Sequence, residues 1–264
     1  GRVNNNGDTY IAYLFAGGED QTTATARSVD FDGSGDLLKT TTSNSDFTMG
    51  QGDFTVECWV KVNSFSNQPG IFQISDTTGG LKTSNYSKTL SMVFLEDGSF
   101  GVFCNSGAKW ANKKLNTGQW YHLAFTRSSG TAYTFIDGVQ QIAEDCSNAN
   151  SNFDGTYIAI GGYYNADYLL DGAISNFRVV KGTALYTSSF KPPTEPLTNI
   201  TNTKLLCCNN SSTTGSTVTP ETISTDGNPT ASSDSPFDDP AGFVFGDSGD
   251  QNVIKCGSFK GNDT

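Results

Sequence analysis

A single histidine, His122, stands among 264 residues. No two of the six cysteines have the C-x-x-C spacing, and none lies near that histidine in sequence. Structural zinc sites take their ligands from such groups, so none is expected. A nucleophilic triad would need remote groups to converge on His122. Basic clusters are also missing: 16 Lys and Arg stand against 27 Asp and Glu, the net charge is −11, and the densest basic spot is Lys113-Lys114. Nucleic-acid binding requires clustered cations that displace counterions from phosphate, so nucleic acid is set aside as a partner. No run approaches the roughly 18 apolar residues of a membrane span, so membrane insertion is not expected. The chain opens at Gly1 without a charged leader and apolar core, and reads as a processed chain or a fragment.

What is abundant is Gly, Ser, Thr and Asn, with Phe and Tyr supplying much of the apolar content. That composition favours strands joined by turns. Asp53-Phe-Thr-Val-Glu-Cys-Trp-Val-Lys61 and Gly118-Gln-Trp-Tyr-His-Leu-Ala-Phe-Thr-Arg127 alternate apolar and polar residues, as half-buried antiparallel strands do. Thr134-Phe-Ile-Asp-Gly138 is an apolar run stopped by a tight-turn signal. Further strands are read at Ala26–Asp32, Gly70–Ser75, Thr89–Leu95, Ser99–Cys104, Thr156–Ile160, Gly172–Val180 and Lys204–Cys208.

Taken in order, these segments resemble the concanavalin A-like jelly roll in its laminin-G-like form. The resemblance implies an all-β, two-sheet antiparallel sandwich over residues 24–208. The run Asp171-Gly-Ala-Ile-Ser-Asn-Phe-Arg-Val-Val-Lys-Gly-Thr-Ala-Leu185, with Phe190-Lys-Pro-Pro193, is similar to jelly-roll modules of marine bacteriophage tail and appendage proteins. Asp8–Phe15, Phe243-Val-Phe-Gly246 and Gln251–Phe259 resemble pieces of another appendage β-domain. Residues 1–23 and 241–264 are therefore expected to be β segments of a flanking or host domain, with 209–240, poor in apolar residues, as a polar linker.

Chemistry is sparse. Hydrolytic relatives of the resembled fold carry their carboxylates on one strand as Glu-x-Asp-x-x-Glu, which is absent here; Glu57 is a lone strand carboxylate, so no enzyme is expected. His122 occupies a position that in the family packs or hydrogen-bonds within the sheet. Cys58 and Cys104 read as small core residues, and adjacent Cys207 and Cys208 should point to opposite faces of a strand. Trp59 and Trp120 are placed in the core. Calcium is the one cofactor considered, because relatives hold it at the sheet rim; of the junction carboxylates Asp32, Asp36, Asp53, Asp167 and Asp171, the first choices are Asp53 and Asp171. Sugar binding needs an aromatic platform ringed by polar groups. Tyr163, Tyr164, Asn165, Asp167 and Tyr168 in one loop, with Trp110 in another, are the candidates.

The resemblance thus implies a non-enzymatic lectin-like module of a phage virion appendage, at the virion surface, or else a secreted or cell-surface protein. Its partners would be a cell-surface glycan or neighbouring copies of an appendage protein, in a homo-oligomer or tandem array. The alternative is a purely structural assembly unit joined to its neighbours through the terminal strands.

Overall fold

A computed structural model describes residues 9–14, 27–76, 89–104, 107–237 and 255–260. It divides into two compact units, Thr25–Phe237 and the two chain ends together. In the end unit, β1 (Thr9–Leu14) pairs antiparallel with β18 (Lys255–Lys260), from Thr9 opposite Lys260 to Leu14 opposite Lys255. The expected strand at Phe243-Val-Phe-Gly246 lies outside the described residues.

The large unit is a sandwich of two antiparallel sheets, the jelly-roll class that the alternating segments imply. The first sheet contains β2 (Ser28–Asp32), β4 (Phe54–Ser64), β9 (Trp120–Ser128), β10 (Thr131–Ile136) and β11 (Val139–Asp145). It also contains β13 (Asp171–Lys181), β14 (Thr203–Cys207), β15 (Ser216–Val218) and β17 (Thr230–Ser232). The second holds β3 (Leu37–Thr40), β5 (Gly70–Ser75), β6 (Leu90–Phe94), β7 (Ser99–Cys104), β8 (Gly107–Lys114), β12 (Tyr157–Ile160) and β16 (Ile223–Asp226). The order is β11-β10-β9-β4-β13-β14-β15 in the first, with β2 also on β13, and β16-β3-β12-β5-β6-β7-β8 in the second.

Alternation decides what lies between the sheets. Phe54, Val56, Cys58, Val60 and Val62 of β4 point inward with Leu123 and Phe125 of β9, and Phe72 meets Phe177 across the core at 5.3 Å. Tight turns join the strands: Asp137 and Gly138 both take left-handed φ (50° and 72°), the signature of a two-residue hairpin. Only glycine fits at 138, because a Cβ there would meet the Phe190 carbonyl oxygen at 2.0 Å.

Three expectations are corrected. Of the segment 209–240 expected to be a linker, the described residues 209–237 are part of the sandwich: β15, β16 and β17 pair with β14, β3 and β2 and add strands to both sheets. Its polarity suits short edge strands with one face in water. Trp59 and Trp120 share the outward parity of Glu57 and Lys61 and lie half-buried on the outer face of the first sheet. Finally, Cys207 and Cys208 are both fully buried in the core with Cys58. Strand alternation fails there because Cys208 takes φ 57°, ending β14 and bringing the two Sγ atoms to 3.8 Å. Cys146 is disulfide-bonded.

Candidate functional site

Part of the outer face of the first sheet, around Glu57, is covered by residues 183–202, which carry no regular secondary structure. Glu57 is the anchor. Its carboxylate, fully buried, accepts from Arg178 Nε at 3.0 Å and Nη2 at 2.5 Å, from His122 Nε2 at 3.1 Å and from Tyr186 Oη at 2.9 Å. Tyr186 stacks on Phe190 with ring centroids 3.6 Å apart and planes 5° from parallel, and Phe190 meets the His122 ring edge-on at 5.7 Å. Thr55 Oγ1 and Thr126 Oγ1 donate to the carbonyls of Thr183 and Tyr186, and Arg178 Nη1 donates to that of Thr198. Burial alone would raise the Glu57 pKa, but the His122 hydrogen bond and the Arg178 charge outweigh it and hold the carboxyl below its ordinary value. Burial, then the neighbouring carboxylate, pushes the Tyr186 phenol up. The strand motifs and the Arg178–Tyr186 run are thus parts of one network in which Glu57, His122 and Arg178 are buried and Tyr186 is half-buried. Arg178 and Tyr186 were invisible as partners in sequence, although an outward-facing strand carboxylate does call for a cation.

The open sites lie elsewhere. Four loops meet at one rim: the β2–β3 turn, the β4–β5 loop, the β6–β7 turn and the β12–β13 loop. They enclose a cavity of roughly 560 Å³ lined by Gly33, Asn67, Gln68, Glu96, Ala166, Asp167, Tyr168 and Leu169. Tyr168 is 41% exposed, a large apolar ring presented to water. Nine non-glycine residues among those described have left-handed φ, and four of them (Asn67, Gln68, Ala166, Tyr168) line this one cavity. Asparagine tolerates that region; Gln68, Ala166 and Tyr168 hold it only because their surroundings impose it. Those surroundings are visible: Tyr168 O accepts from Gly70 N at 2.7 Å, Tyr163 N donates to Asp167 O at 2.9 Å, and Ala166 N donates to Tyr163 O at 2.9 Å. Asn165 Nδ2 donates to Asp167 Oδ2 at 2.5 Å. The loop is shaped before any ligand arrives.

The structure divides the expected sugar-binding residues. Tyr168 and Asp167 line the cavity, and Asn165 orients Asp167. Tyr163 and Tyr164 are buried, 2% and 7% exposed, and cannot serve as a platform. Tyr163 instead supports Tyr168, ring to ring at 4.9 Å, while Tyr164 donates its hydroxyl to Thr40 O at 2.6 Å. Trp110 is not in a loop but in β8, 36% exposed, with its ring laid over Gly101, where a Cβ would meet it at 2.3 Å. It is not part of the cavity lining, although register links it through Gly101, Val93 and Gly70 into one row that ends at the Tyr163 ring. Asn67, Gln68 and Glu96 were missed: they belong to loops with no shared motif, and only tertiary convergence joins them.

The two carboxylates preferred for calcium, Asp53 and Asp171, lie too far apart to hold one ion together. Asp171 pairs with Ser64 and Lys181 with Phe54, so Asp171 and Asp53 sit at opposite ends of β4. Ten strand residues of 3.3 Å rise put them about 33 Å apart. Asp53 accepts from Ser129 N and Asp171 from Asn63 Nδ2. Among the described residues, no three acidic, His or Cys side chains converge to hold a metal.

A second cavity, about 480 Å³, lies on the outer face of the first sheet, with Asp30, Asp32, Asp171, Asp234, Lys61 and Asn63 in its lining. Lys61 pairs with Asp234 and lies 5.4 Å from the Trp120 ring, while Asp36 is occupied by the amides of Asp32 and Asn228. Phe31, its aromatic wall, is buried. It lacks the exposed ring that marks the rim cavity.

The concanavalin A-like lectin/glucanases superfamily model, in its laminin-G form, matches residues 32–185, more than half of the chain, and the chain belongs to that superfamily. Among solved structures it is similar to a native heptameric SAP-like pentraxin from Limulus polyphemus, at 15% identity and a TM-score of 0.54, over 83% of this chain and 98% of that one. It is also similar to a proposed carbohydrate binding protein from Bacteroides ovatus, at 16% identity and a TM-score of 0.54, over 78% of this chain and 59% of that one. At such identities the likeness is one of fold. No curated protein matches the chain in sequence.

Proposed function

We propose that the chain is a non-enzymatic lectin-like module that binds glycan in the rim groove beside Tyr168, as part of a phage virion appendage that contacts host surfaces. The observation that carries glycan binding is an exposed tyrosine on a preshaped loop, beside a cavity walled by amides and carboxylates. An aromatic face takes the apolar side of a pyranose, and amides and carboxylates take its hydroxyls. Kinship with a lectin-rich superfamily and likeness to a protein described as carbohydrate-binding support the reading. The appendage setting rests on the resemblance of Asp171–Leu185 and of both chain ends to phage modules. The non-enzymatic part rests on the occupation of Glu57 by three partners.

The test is a glycan array probed with the full chain, with calcium and with chelator, repeated with Tyr168→Ala. Binding that is lost in the variant supports the site, and chelator sensitivity would bring calcium into it. No binding in either buffer refutes the lectin reading. A second reading is structural assembly through the termini: β1 and β18 pair with each other within the chain, so a neighbour would add to an outer edge of that two-stranded ribbon. Sedimentation of the full chain decides it: a concentration-dependent oligomer abolished by Ile11→Pro supports assembly, and a monomer at every concentration counts against it.

A further inference from the structure

The rim groove carries charge of one sign. Glu96 and Asp167 line it, the amides of Asn67 and Gln68 stand with them, and among the described residues no Lys, Arg or His is in the lining. Glu96 and Asp167 are exposed, and the chain as a whole carries −11. On the reading that this groove binds glycan, we propose that it selects uncharged and amine-bearing sugars and rejects acidic ones, such as uronic and sialic acids.

The reasoning is electrostatic. A carboxylated sugar seated on the Tyr168 ring brings a third anion to two carboxylates, with no cation among the described lining residues to neutralise it. Each carboxylate repels that anion at close range, and the two together should weaken its binding about tenfold or more. A hydroxyl-rich neutral sugar meets the opposite situation. Each carboxylate accepts up to four hydrogen bonds and each amide both donates and accepts, so vicinal hydroxyls can be matched in pairs. An ammonium-bearing sugar gains further from the same carboxylates. Asp167 Oδ2 already accepts from Asn165 Nδ2, so the carboxylate is held in place without prior reorganisation. Recognition of acidic sugars would call for arginine, whose fork fits a carboxylate, and Arg127 and Arg178 are both buried in other networks.

The experiment is isothermal titration of the full chain with matched neutral and charged probes. These are lactose against sialyllactose, cello-oligosaccharide against oligogalacturonate, and chito-oligosaccharide against its de-N-acetylated form. Each is titrated at 50 and 500 mM salt, with wild type, Glu96→Gln, and Glu96→Gln/Asp167→Asn. The expected result is that at least one neutral or amine-bearing probe binds, while its acidic counterpart binds at least about tenfold more weakly or not at all. The gap should shrink in Glu96→Gln and close in the double variant. High salt should weaken only the amine-bearing probe, since exposed charges are screened. Equal or tighter binding of the acidic probe would overturn this proposal while leaving the glycan reading intact. A gap unchanged in both variants would overturn the assignment to these carboxylates. Failure of every probe and of the array would overturn the glycan reading itself.

Discussion

Replacing Arg178 with Met would strand the Glu57 carboxylate in the first sheet. Arg178 supplies two of its four contacts, at 3.0 and 2.5 Å, and Glu57 has no exposed surface. Removing one partner of a buried pair leaves an uncompensated charge and costs about 3–5 kcal/mol. Tyr186→Phe removes one hydrogen bond to the same carboxylate, at 2.9 Å, and should cost about 1.5–3 kcal/mol. Glu57→Gln combined with Arg178→Met should be milder than the sum of the two single changes, because they share one network. Urea unfolding at pH 7, followed by tryptophan fluorescence, reads all four variants, since Trp59 lies 5.4 Å from the His122 ring and reports on this region. The pH dependence adds a second check. Glu57 is held below its ordinary 4.5 in the folded state, so its contribution is complete above about pH 4.5 and is lost as pH falls through the depressed value. Glu57→Gln should therefore flatten the loss of stability between pH 5 and 3. An Arg178→Met cost under about 1 kcal/mol, or a Glu57→Gln acid slope identical to wild type, would refute the reasoning.

Three further outcomes follow from other parts of the molecule. Tyr168→Ala should weaken glycan binding about tenfold or more with little change in unfolding midpoint, whereas Tyr164→Phe should leave binding intact and cost about 1 kcal/mol through its lost bond to Thr40; titration calorimetry and thermal melts separate the two. Burial raises the Cys58 thiol well above its ordinary value, and the Cys208 sulfur together with burial does the same to Cys207. Peptide mapping after iodoacetamide should find Cys58, Cys207 and Cys208 unlabelled in the native protein and labelled in denaturant. Arg127 is fully buried, donates to the carbonyls of Gly50, Gly52 and Ser151, and is drawn by burial down to a pKa of about 10, so it stays charged at neutral pH; Arg127→Leu should cost about 3–5 kcal/mol in urea titrations.

Much of the fold could be read from the chain because alternation is a local property. The period-two pattern of Phe54–Val62 determines its inward face whatever packs on it, and Asp137-Gly138 prescribes its own hairpin. The superfamily followed from such segments in order. Short polar strands such as Ser216–Val218 and Thr230–Ser232 could not be read, since their pairing comes from neighbours far away in sequence and their own apolar content is too low to signal it. Local pattern also misled at Cys208, where one left-handed residue cancels the alternation of a strand.

The site shows the same division. Residue types alone marked the Tyr163–Tyr168 loop as aromatic and polar and removed the enzyme's carboxylate pattern from consideration. Which tyrosine meets water was decided only in three dimensions: Tyr163 and Tyr168 lie in one loop, yet one packs over Gly70 and the other opens beside the cavity. Asn67, Gln68 and Glu96 join them because two other loops end at the same rim, and convergence of that kind leaves no trace in spacing or composition. Local chemistry is written residue by residue along the chain, whereas burial and proximity depend on contacts between residues far apart in it, and those exist only once the two sheets have closed on each other.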